Sequence, residues 1–592
     1  MSKFLNPTKW LIFCLILLLS LWTRFQPYID DSGKFSVTVK PTDSTVFDEA
    51  YFIPQTENYY FNQYYFDIHP PLGKFLFYLG SKIYDGTAPG GLSNKESLDS
   101  TQLGNKLDNY KNLLNTEGFR LFPRLFGSMI GPMLFLIVYE IINYKSRSKS
   151  YIVPFMASLL GIFEISYIVE SRYALLSQIL LFFILLTMFF SLKYFYTADK
   201  KMQLLWAFLS GITLGLAIST KWFAISTIAF LAILLFAKNY RVYTLRRDEL
   251  LDLINSKADQ FSSKLNINKV RLSLKSWTNT ILSVTSKTIL QLGSILGISL
   301  LIYLSIFAMH FAMIKNWNAL PDVNNAEVSD FCPEWVNDLR NNTNTATYWC
   351  KLKAYTSIQL RYNKNVPALD FTKPDEIGSS WMTWPIMSRT ISYFWSTDGS
   401  NEYAFVYLVG NPVIWLISLL SIIISVSILL LKLLNLRNFE SKDAVLVGLI
   451  VLYFGNWLPY ALIERVMYMY HYMPALLIGM ILFGYILHFY LMPRINVLQD
   501  FVKEHLNEMD DIKSNLKPNP DPSSKSIFSR SGILKLLELN DLFNLIFIIL
   551  TLLAILLGYI LYYPFAYLLP VNKTYFEKVS IMKEWNMKWP GN

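Results

Sequence analysis

Long stretches of apolar residues constrain the fold of this chain more than any other feature. The longest, at 10–22, 180–190, 289–311, 413–431 and 542–562, contain few or no charged residues. A bilayer core about 30 Å thick is crossed by a helix of ~20 such residues. Charged residues make up only 16% of the chain, whereas soluble domains have roughly a quarter. The sequence therefore predicts an all-α polytopic membrane protein.

About eleven segments have the length and hydropathy of membrane spans. They lie near residues 10–22, 122–143, 152–168, 174–194, 203–220, 222–237, 288–313, 406–431, 444–463, 472–492 and 542–568. The first could be a signal peptide, because Lys3 and Lys9 precede its apolar core. No small-residue cleavage site follows, since Thr23-Arg24-Phe25-Gln26 comes next. We therefore interpret it as a retained first span.

Basic residues in the connecting segments indicate the orientation of the spans. Clusters of Lys and Arg lie at 145–149, 200–201, 238–287 and 432–442, and the segment 494–535 has mixed charge. Cytosolic connections are enriched in Lys and Arg, so these positions predict a cytosolic N-terminus and a luminal C-terminus. The formal net charge of +10 then reflects this bias. Because the charge is scattered between spans, no nucleic-acid partner is expected.

This topology divides the chain into three parts. Residues 1–314 form an N-terminal transmembrane module with a luminal loop at 26–121 and a cytosolic loop at 238–287, residues 315–405 form a second luminal loop, and residues 406–592 form a C-terminal transmembrane module with a cytosolic linker at 493–541. The loop at 238–287 alternates apolar and basic residues, which fits either helices on the membrane surface or a solvated linker. Pro and Ser in 513–529 indicate disorder.

Cysteines and sequons on the luminal side favour the endoplasmic reticulum membrane. Cys332 and Cys350 both lie in 315–405, where they form either a disulfide or two free thiols. The sequons at Asn341 and Asn572, each followed by Thr two positions later, are candidate N-glycosylation sites. Both fall on the luminal side of the predicted topology.

Two adjacent carboxylates, Asp48 and Glu49, follow the first span in aromatic surroundings. Phe47, Tyr51 and Phe52 flank them, and desolvation by such neighbours raises the pKa of a carboxyl group and makes it a better base. The pair could therefore supply a general base beside a membrane-embedded substrate. The alternative is that both are solvated loop acids.

Basic residues near the luminal ends of several spans indicate a phosphate site. These are Arg120, Arg172, Lys221, Arg465 and His471. Charge at membrane depth is costly and suggests function, and several converging cations could hold a phosphate, with Arg favoured for forked contacts. Alternatively, each side chain reaches towards lipid headgroups. Together with the two carboxylates, the set predicts a phosphate-bearing lipid substrate and acid–base chemistry.

Six ordered segments resemble the protein O-mannosyltransferase family. They are Phe47-Asp48-Glu49 with Phe66-Asp67-Ile68-His69-Pro70-Pro71-Leu72-Gly73-Lys74, Arg120-Leu121-Phe122-Pro123, Ser171-Arg172-Tyr173-Ala174-Leu175-Leu176, Ser219-Thr220-Lys221-Trp222, Arg465 through Tyr470-His471-Tyr472-Met473-Pro474, and 381–389 with Leu408-Val409-Gly410-Asn411-Pro412-Val413-Ile414-Trp415. The resemblance covers nearly all of residues 45–480.

The resemblance implies a GT-C-type fold and transfer of mannose, with inversion, from dolichyl phosphate mannose to Ser or Thr hydroxyls of secretory proteins in the endoplasmic reticulum lumen. It makes residues 1–314 the catalytic module, Asp48 the general base and Glu49 a positioning group. The donor phosphate would contact Arg120, Arg172, Lys221 and Arg465, supported by His69 and His471. Positioning and charge stabilisation would supply most of the catalysis. The chain could pair with itself or a relative, and no metal ligands are predicted, although metal dependence stays open.

Three departures from the family pattern bear on these expectations. The eukaryotic family usually carries a β-trefoil MIR domain between spans seven and eight, and residues 315–405 are too few to hold that domain as well as the matching segment. Ser177 stands where an acid is frequent, and Arg124 where a small residue is usual. These departures bear on acceptor recognition and donor contacts.

Three other functions are compatible with parts of this pattern. The chain could transfer a different polyprenyl-phosphate sugar to a lipid or glycan, or it could be a non-catalytic subunit of a mannosyltransferase heterodimer. The intact Asp48-Glu49 pair argues against the second. A transporter is disfavoured, because the sequence shows no repeated halves and no correspondingly broken helices.

Overall fold

The computed structural model describes residues 6–25, 28–29, 35–36, 45–85, 116–144, 146, 149–258, 267–316, 324–373, 376–397, 401–434, 440–492 and 530–590. Several predicted features lie outside these residues. They include Lys145, Arg147 and Arg437. Residues 26–27, 30–34, 37–44 and 86–115 of the loop predicted at 26–121 also lie outside the described part, as do residues 493–529 of the predicted linker.

The described residues are mainly helical. The α-helices are α1 (Pro7–Phe25), α2 (Glu49–Glu57), α3 (Leu72–Asp85), α4 (Thr116–Asn143), α5 (Ile152–Phe163), α6 (Ile165–Arg172), α7 (Ser177–Tyr196), α8 (Lys200–Ile218), α9 (Thr227–Ala258), α10 (Ile267–Met313), α11 (Asn324–Phe331), α12 (Pro333–Asn341), α13 (Tyr348–Asn365), α14 (Pro412–Leu433), α15 (Ser441–Gly455), α16 (Met473–Ile486), α17 (Arg530–Tyr567) and α18 (Lys573–Val579). Short 3-10 helices occupy Trp222–Ser226, Trp381–Ile386, Leu458–Leu462, Met469–Tyr472 and Lys583–Trp585, and a π-helix occupies Leu487–Leu491.

Ten helices in the described part of the chain are long and apolar enough to cross a membrane, or eleven if the bent pair α5–α6 is one span. This confirms the predicted polytopic fold. The pair bends by 56° at Glu164, whose buried carboxylate accepts hydrogen bonds from the Ser166 hydroxyl (2.7 Å) and the Trp415 indole (3.1 Å). These bonds fix the break and hold α6 against α14.

Short strands interrupt the helical fold. They are β1 (Tyr28–Ile29), β2 (Phe35–Ser36), β3 (Ile391–Ser396), β4 (Glu402–Leu408) and β5 (Pro570–Asn572). Strands β1 and β2 pair with each other, and β3, β4 and β5 form an antiparallel sheet in that order. A register shift between Ser392 and Phe394 marks a β-bulge.

The predicted start of the eighth span at residue 406 is wrong, because those residues belong to β4 and the helix begins at Pro412. The Asn411 side chain accepts a hydrogen bond from the Val413 amide (3.1 Å). An Asn cap followed by Pro in the first turn is a strong helix start, and it outweighs the continuous apolar character of the segment.

One apolar core includes side chains from both predicted transmembrane modules. The Tyr167 hydroxyl donates to the Met473 carbonyl (2.8 Å), and a Cβ at Gly484 would lie 2.8 Å from Val138. A second core joins α10 to α12 and α13. In the loop predicted at 238–287, α9 and α10 continue as helices on either side of residues 259–266, which lie outside the described part.

Candidate active site

Asp48 lies on a tight turn immediately before α2. Phe47 has φ 51°, a left-handed conformation that is unusual for an aromatic residue and is found mainly where function or packing demands it. The amides of Glu49 and Ala50 donate back to the carbonyls of Val46 and Phe47 (3.0 and 3.1 Å). The turn directs the Asp48 side chain into a small cavity, and no described residue forms a hydrogen bond to its carboxylate.

Glu49 points away from that cavity and is fully buried. Its carboxylate accepts from Arg120 Nη2 (2.7 Å) and Nε (2.8 Å), and also from the amides of Ala174 (2.6 Å) and Val46 (3.0 Å). Every lone-pair direction of Glu49 is therefore used. Glu49 fixes the turn before α2 to α4 and to the segment joining α6 and α7.

A second carboxylate, Glu170 of α6, reaches the same small cavity as Asp48. Glu170 accepts a hydrogen bond from the Tyr393 hydroxyl of β3 (2.5 Å). The ring of Tyr393 in turn stacks on Phe47, with 4.1 Å between ring centroids. The hairpin β3–β4 therefore supports both the strained turn and the second carboxylate.

Lys221 lies between the two carboxylates in the connection after α8. Its side chain lines the cavity with Asp48 and Glu170, and its Nζ lies 5.2 Å from the centre of the Tyr470 ring. The Leu72 amide donates to the Ser219 carbonyl (3.1 Å). A Cβ at Gly73 would lie only 2.1 Å from Leu176, so glycine lets α3 approach this site closely.

An adjoining cavity extends from Lys221 into the membrane part of the molecule. It shares Ser177, Lys221 and Tyr470 with the first cavity. The rest of its lining is largely apolar or aromatic, from Leu180, Leu181, Phe223, Tyr460, Met473 and Pro474, with His471 as an additional polar group. The cavity has only about 10 Å³, but its lining places a cation next to apolar side chains, as the junction between a lipid phosphate and its chain requires.

His69, His471 and Arg465 lie close enough to Lys221 to interact with it electrostatically. The His471 ring stacks on Tyr470 (4.4 Å) and its Nδ1 lies 2.9 Å from the Tyr468 carbonyl. The side chain of half-buried Arg465 forms no hydrogen bond or ion pair with the residues that the structure describes. Its guanidinium is therefore available to an external anion.

The electrostatics of the cavity follow from burial and charge. Burial raises the pKa of Asp48, Lys221 opposes the rise and Glu170 adds to it by like-charge repulsion, and together they place this pKa at about 6. Burial lowers the pKa of Lys221, while Glu170 and Asp48 favour its charged form. Burial, together with nearby Lys221, His471 and Arg465, holds the pKa of His69 well below its usual range. Asp48 therefore has the properties of a base that works near neutral pH.

The structure places Arg120 and Arg172 in a different cluster from Lys221 and Arg465. Arg120 is paired with Glu49, as described above. Arg172 is buried, lies 4.5 Å over the Tyr567 ring and donates to the Arg24 carbonyl (3.3 Å). Of the six residues predicted to contact a phosphate, Lys221 and His471 line the cavities, and His69 and Arg465 lie close enough to Lys221 to interact with it electrostatically.

The two unusual residues have separate surroundings. Arg124 forms an ion pair with Glu117 (2.5 Å) and donates to the Arg172 carbonyl (3.4 Å). Ser177 lines both cavities beside Glu170, so Glu170 supplies a carboxylate close to the position where the family often has an acid. Sequence reasoning missed Glu170, although an acid within an otherwise apolar membrane segment is itself a signal of function.

The remaining predicted residues lie away from the cavity. The sulfurs of Cys332 and Cys350 form a disulfide, and Asn341 and Asn572 are exposed. Within the described ranges, the one group of side chains close enough to share a metal ion is Cys332, Glu334 and Cys350. Because its two sulfurs are bonded to each other, this group does not offer thiolate ligands.

The fold and the cavity define a polytopic membrane protein in which carboxylates and cations meet at the end of an apolar pocket. Sequence profiles of one family match most of the chain. Residues 38–315 match "Dolichyl-phosphate-mannose-protein mannosyltransferase", and residues 353–585 match the "C-terminal four TMM region of protein-O-mannosyltransferase". The chain belongs to the protein O-mannosyltransferase family.

Individual relatives are distant. Dolichyl-phosphate-mannose–protein mannosyltransferase 6 of Candida albicans is 26% identical over 46% of this chain, enzyme 1 of Saccharomyces cerevisiae is 26% identical over 51%, and protein O-mannosyl-transferase 2 of Danio rerio is 27% identical over 51%. The matches span only 29%, 30% and 33% of these relatives' own lengths.

One solved structure shares the fold. It is the S. cerevisiae protein O-mannosyltransferase Pmt1-Pmt2 complex bound to the sugar donor, which aligns with a TM-score of 0.62 and 15% sequence identity over 99% of this chain and 93% of that one. The predicted GT-C-type fold is thereby confirmed.

Proposed function

We propose that this chain transfers mannose from dolichyl phosphate mannose to Ser or Thr hydroxyls of proteins in the endoplasmic reticulum lumen. The observation that carries the proposal is the Asp48 carboxylate, which faces a cavity shared with Lys221 and has a pKa raised to about 6. The names of the relatives support the donor and the acceptor class, and the apolar side chains beside Lys221 suit the part of a polyprenyl chain next to its phosphate.

The reaction is a single displacement. Asp48 removes the proton from the acceptor hydroxyl, whose oxygen attacks the anomeric carbon of mannose. The bond from that carbon to the phosphate oxygen breaks, and dolichyl phosphate leaves with the bonding electrons. One displacement inverts the anomeric carbon, as in single-step glycoside chemistry. Phosphate is a good leaving group, so no general acid is needed.

Lys221, Arg465, His69 and His471 form the electrostatic environment of the departing phosphate. Lys221 and Arg465 carry the positive charge, and His69 stays neutral because its pKa is low, so it can still exchange hydrogen bonds. Charges fixed in a dry site stabilise a leaving anion without reorganising at the moment of reaction. Glu170 and Glu49 act indirectly. Glu170 raises the pKa of Asp48 and of Lys221, and Glu49 holds the turn that carries Asp48.

The cytosolic N-terminus, the luminal C-terminus and pairing with itself or a relative belong to the same proposal. The Pmt1-Pmt2 structure contains two family members, which supports pairing here. Purified protein incubated with dolichyl phosphate mannose and Ser/Thr-rich peptides tests the activity. We expect mannosylated peptide with an α linkage to form only when wild-type protein is added. Transfer to a lipid or glycan but not to peptide would favour the other transferase function, and activity only with an added relative would favour a subunit role.

A further inference from the structure

A third cavity, of about 370 Å³, lies on the face of the β3–β4 hairpin opposite the catalytic carboxylates. The bulge at Tyr393 turns that residue inward to Glu170, while Ser392 and Trp395 are exposed on the outer side. Their cross-strand partners Tyr407 and Phe405 line the same cavity. A single strand therefore separates this cleft from the site of the proposed reaction.

Aromatic side chains form one wall of the cleft. Trp395 lies 5.6 Å from Tyr403, and Trp589, from the segment after α18, lies 4.8 Å from Tyr403 and 5.7 Å from Phe405. Trp395 is 51% exposed, so its ring is accessible to a ligand in the cleft. The wall offers flat apolar faces to a ligand.

Polar groups of both charges form the rim. Arg389 is fixed in place by its bonds to the carbonyls of Glu376 (3.0 Å) and Gly378 (3.4 Å) and by stacking 4.4 Å from Phe371. The side chains of Glu376 and Lys588 also line the cleft. Because the carboxylate of Glu376 accompanies the two cations, the rim is not the purely cationic one that a phosphate or another strongly anionic ligand needs. Its polar rim does not suit a lipid tail.

The segment immediately before β3 is already paired with the chain after α18. The amides of Arg389 and Thr390 donate to the carbonyls of Glu584 and Trp585 (both 2.9 Å), and the Lys588 amide donates to the Tyr407 hydroxyl (3.1 Å). A peptide strand added beside this segment could not use the amides of Arg389 and Thr390. Recognition in the cleft therefore depends on its side chains.

We propose that this cleft binds a neutral hexose, such as a sugar already attached to an acceptor. A hexose presents C–H groups on one face and a rim of hydroxyls that donate and accept hydrogen bonds, and the cleft pairs flat aromatic faces with fixed donors and acceptors. Its volume lies within the 300–1,000 Å³ typical of small-molecule sites. The Ser379 amide donates to the Met467 carbonyl (2.8 Å), so the segment that follows Glu376 connects the cleft to the segment that follows Arg465.

The consequence for acceptor choice rests on the proposed mannosyl transfer, whereas sugar binding itself does not. A bound sugar on one residue would hold a nearby Ser or Thr at Asp48. The enzyme would then prefer acceptors that already carry a sugar.

Saturation-transfer difference NMR on the purified full chain in detergent tests the binding, with methyl α-mannopyranoside and an α-linked mannobiose as probes at millimolar concentrations. We expect saturable signals in wild type, about tenfold weaker binding in Trp395→Ala, which loses an aromatic platform, and wild-type binding in Trp349→Ala. Trp349 is a matched control, because it is 64% exposed on α13. Lys221→Met should keep the signal, which shows that it does not come from the catalytic cavity.

Equal signals in Trp395→Ala and Trp349→Ala, or no saturable signal in wild type, would overturn the proposal. Displacement of the sugar by an unmodified Ser/Thr peptide would show that the cleft is a peptide site instead. In a transfer assay, Trp395→Ala should lose activity towards a peptide with one mannose and keep it towards the unmodified peptide. Absence of all transfer with intact sugar binding would count against the proposed reaction alone.

Discussion

The Glu49 carboxylate and the Arg120 guanidinium form a fully buried, doubly hydrogen-bonded pair, with N–O distances of 2.7 and 2.8 Å. Asp48, the next residue along the chain, has no such partner in the described structure and faces the cavity. Two adjacent acids of the same motif therefore have different roles. Asp48 is placed to react, and Glu49 is placed to hold Asp48 where it is.

Asp48→Asn should abolish transfer and leave the fold intact. An amide cannot accept the proton of the acceptor hydroxyl, and loss of a positioned base typically costs 10²–10⁴ in rate. No structural hydrogen bond is lost with the carboxylate, so the melting temperature should stay near that of wild type. Transfer rates and thermal unfolding, measured on the same preparation, check both parts. Wild-type turnover in folded Asp48→Asn protein would remove Asp48 from the mechanism.

Glu49→Gln should show the opposite pattern, and its main effect should be a lower free energy of unfolding. Breaking one partner of a buried ion pair costs about 3–5 kcal/mol, because the other charge is left uncompensated. The double variant Glu49→Gln/Arg120→Met removes both charges, so it should be more stable than the sum of the two single changes predicts. Denaturant unfolding of the four proteins measures the coupling. Additive losses would mean that the pair contributes little to holding the turn.

The pH dependence of transfer should have an acidic limb near pH 6. Asp48 must be ionised to act as a base, so kcat/KM should fall as the pH drops through the raised pKa of about 6. Glu170→Gln removes a negative neighbour and should move the limb to lower pH. Lys221→Met removes a positive neighbour and should move it to higher pH. Shifts in the same direction in both variants, or no shift in either, would contradict the assignment of this limb to Asp48.

Arg465 and Arg172 should respond differently to substitution. Charge-assisted contacts contribute roughly 1.5–3 kcal/mol, so Arg465→Ala should weaken apparent donor affinity about ten- to a hundredfold. Arg465→Lys should recover part of the loss, since ammonium lacks the planar fork. Arg172→Ala should lower the melting temperature through its lost contact with Tyr567 and leave donor affinity unchanged. A large loss of apparent donor affinity in Arg172→Ala would show instead that Arg172 belongs to the phosphate site.

The two sequons test the predicted orientation. Asn341 and Asn572 are exposed, and the Asn572 side-chain oxygen accepts a hydrogen bond from the Tyr575 amide (2.9 Å) and so caps α18. If both face the lumen, Asn341→Gln and Asn572→Gln should each remove one glycan. Enzymatic deglycosylation followed by gel mobility measures the change. If neither sequon carries a glycan, and a tag placed in the loop predicted to be cytosolic is protected from protease, the orientation is the reverse of the predicted one.

Sequence reasoning could identify the residues at the ends of the membrane spans. Asp48, Lys221 and His471 are polar residues in apolar surroundings, and their positions are visible in the sequence. The sequence does not show which side chains contact these residues. Glu170 and Arg172 are two positions apart on α6, so they point to different sides of the helix. Only the bend at Glu164 decides that Glu170 faces the cavity and Arg172 faces Tyr567.

Tyr393 could not be predicted for a related reason. It belongs to β3, just before residues whose apolar character predicted the start of a span, and its contact with Glu170 joins residues far apart in the chain. Such contacts depend on tertiary packing rather than on local pattern. The strained turn at Phe47 is likewise stabilised by Tyr393 and has no signal in the local sequence.

The distribution of the catalytic side chains along the chain has a consequence for biosynthesis. Asp48 is made early, but Tyr393 and His471 emerge only after most of the spans have left the ribosome. A partly synthesised chain therefore presents an incomplete cavity, in which neither the turn nor the cations have their supports. Under the proposed reaction, a nascent chain in the membrane would be unable to consume activated sugar before its own insertion is nearly complete.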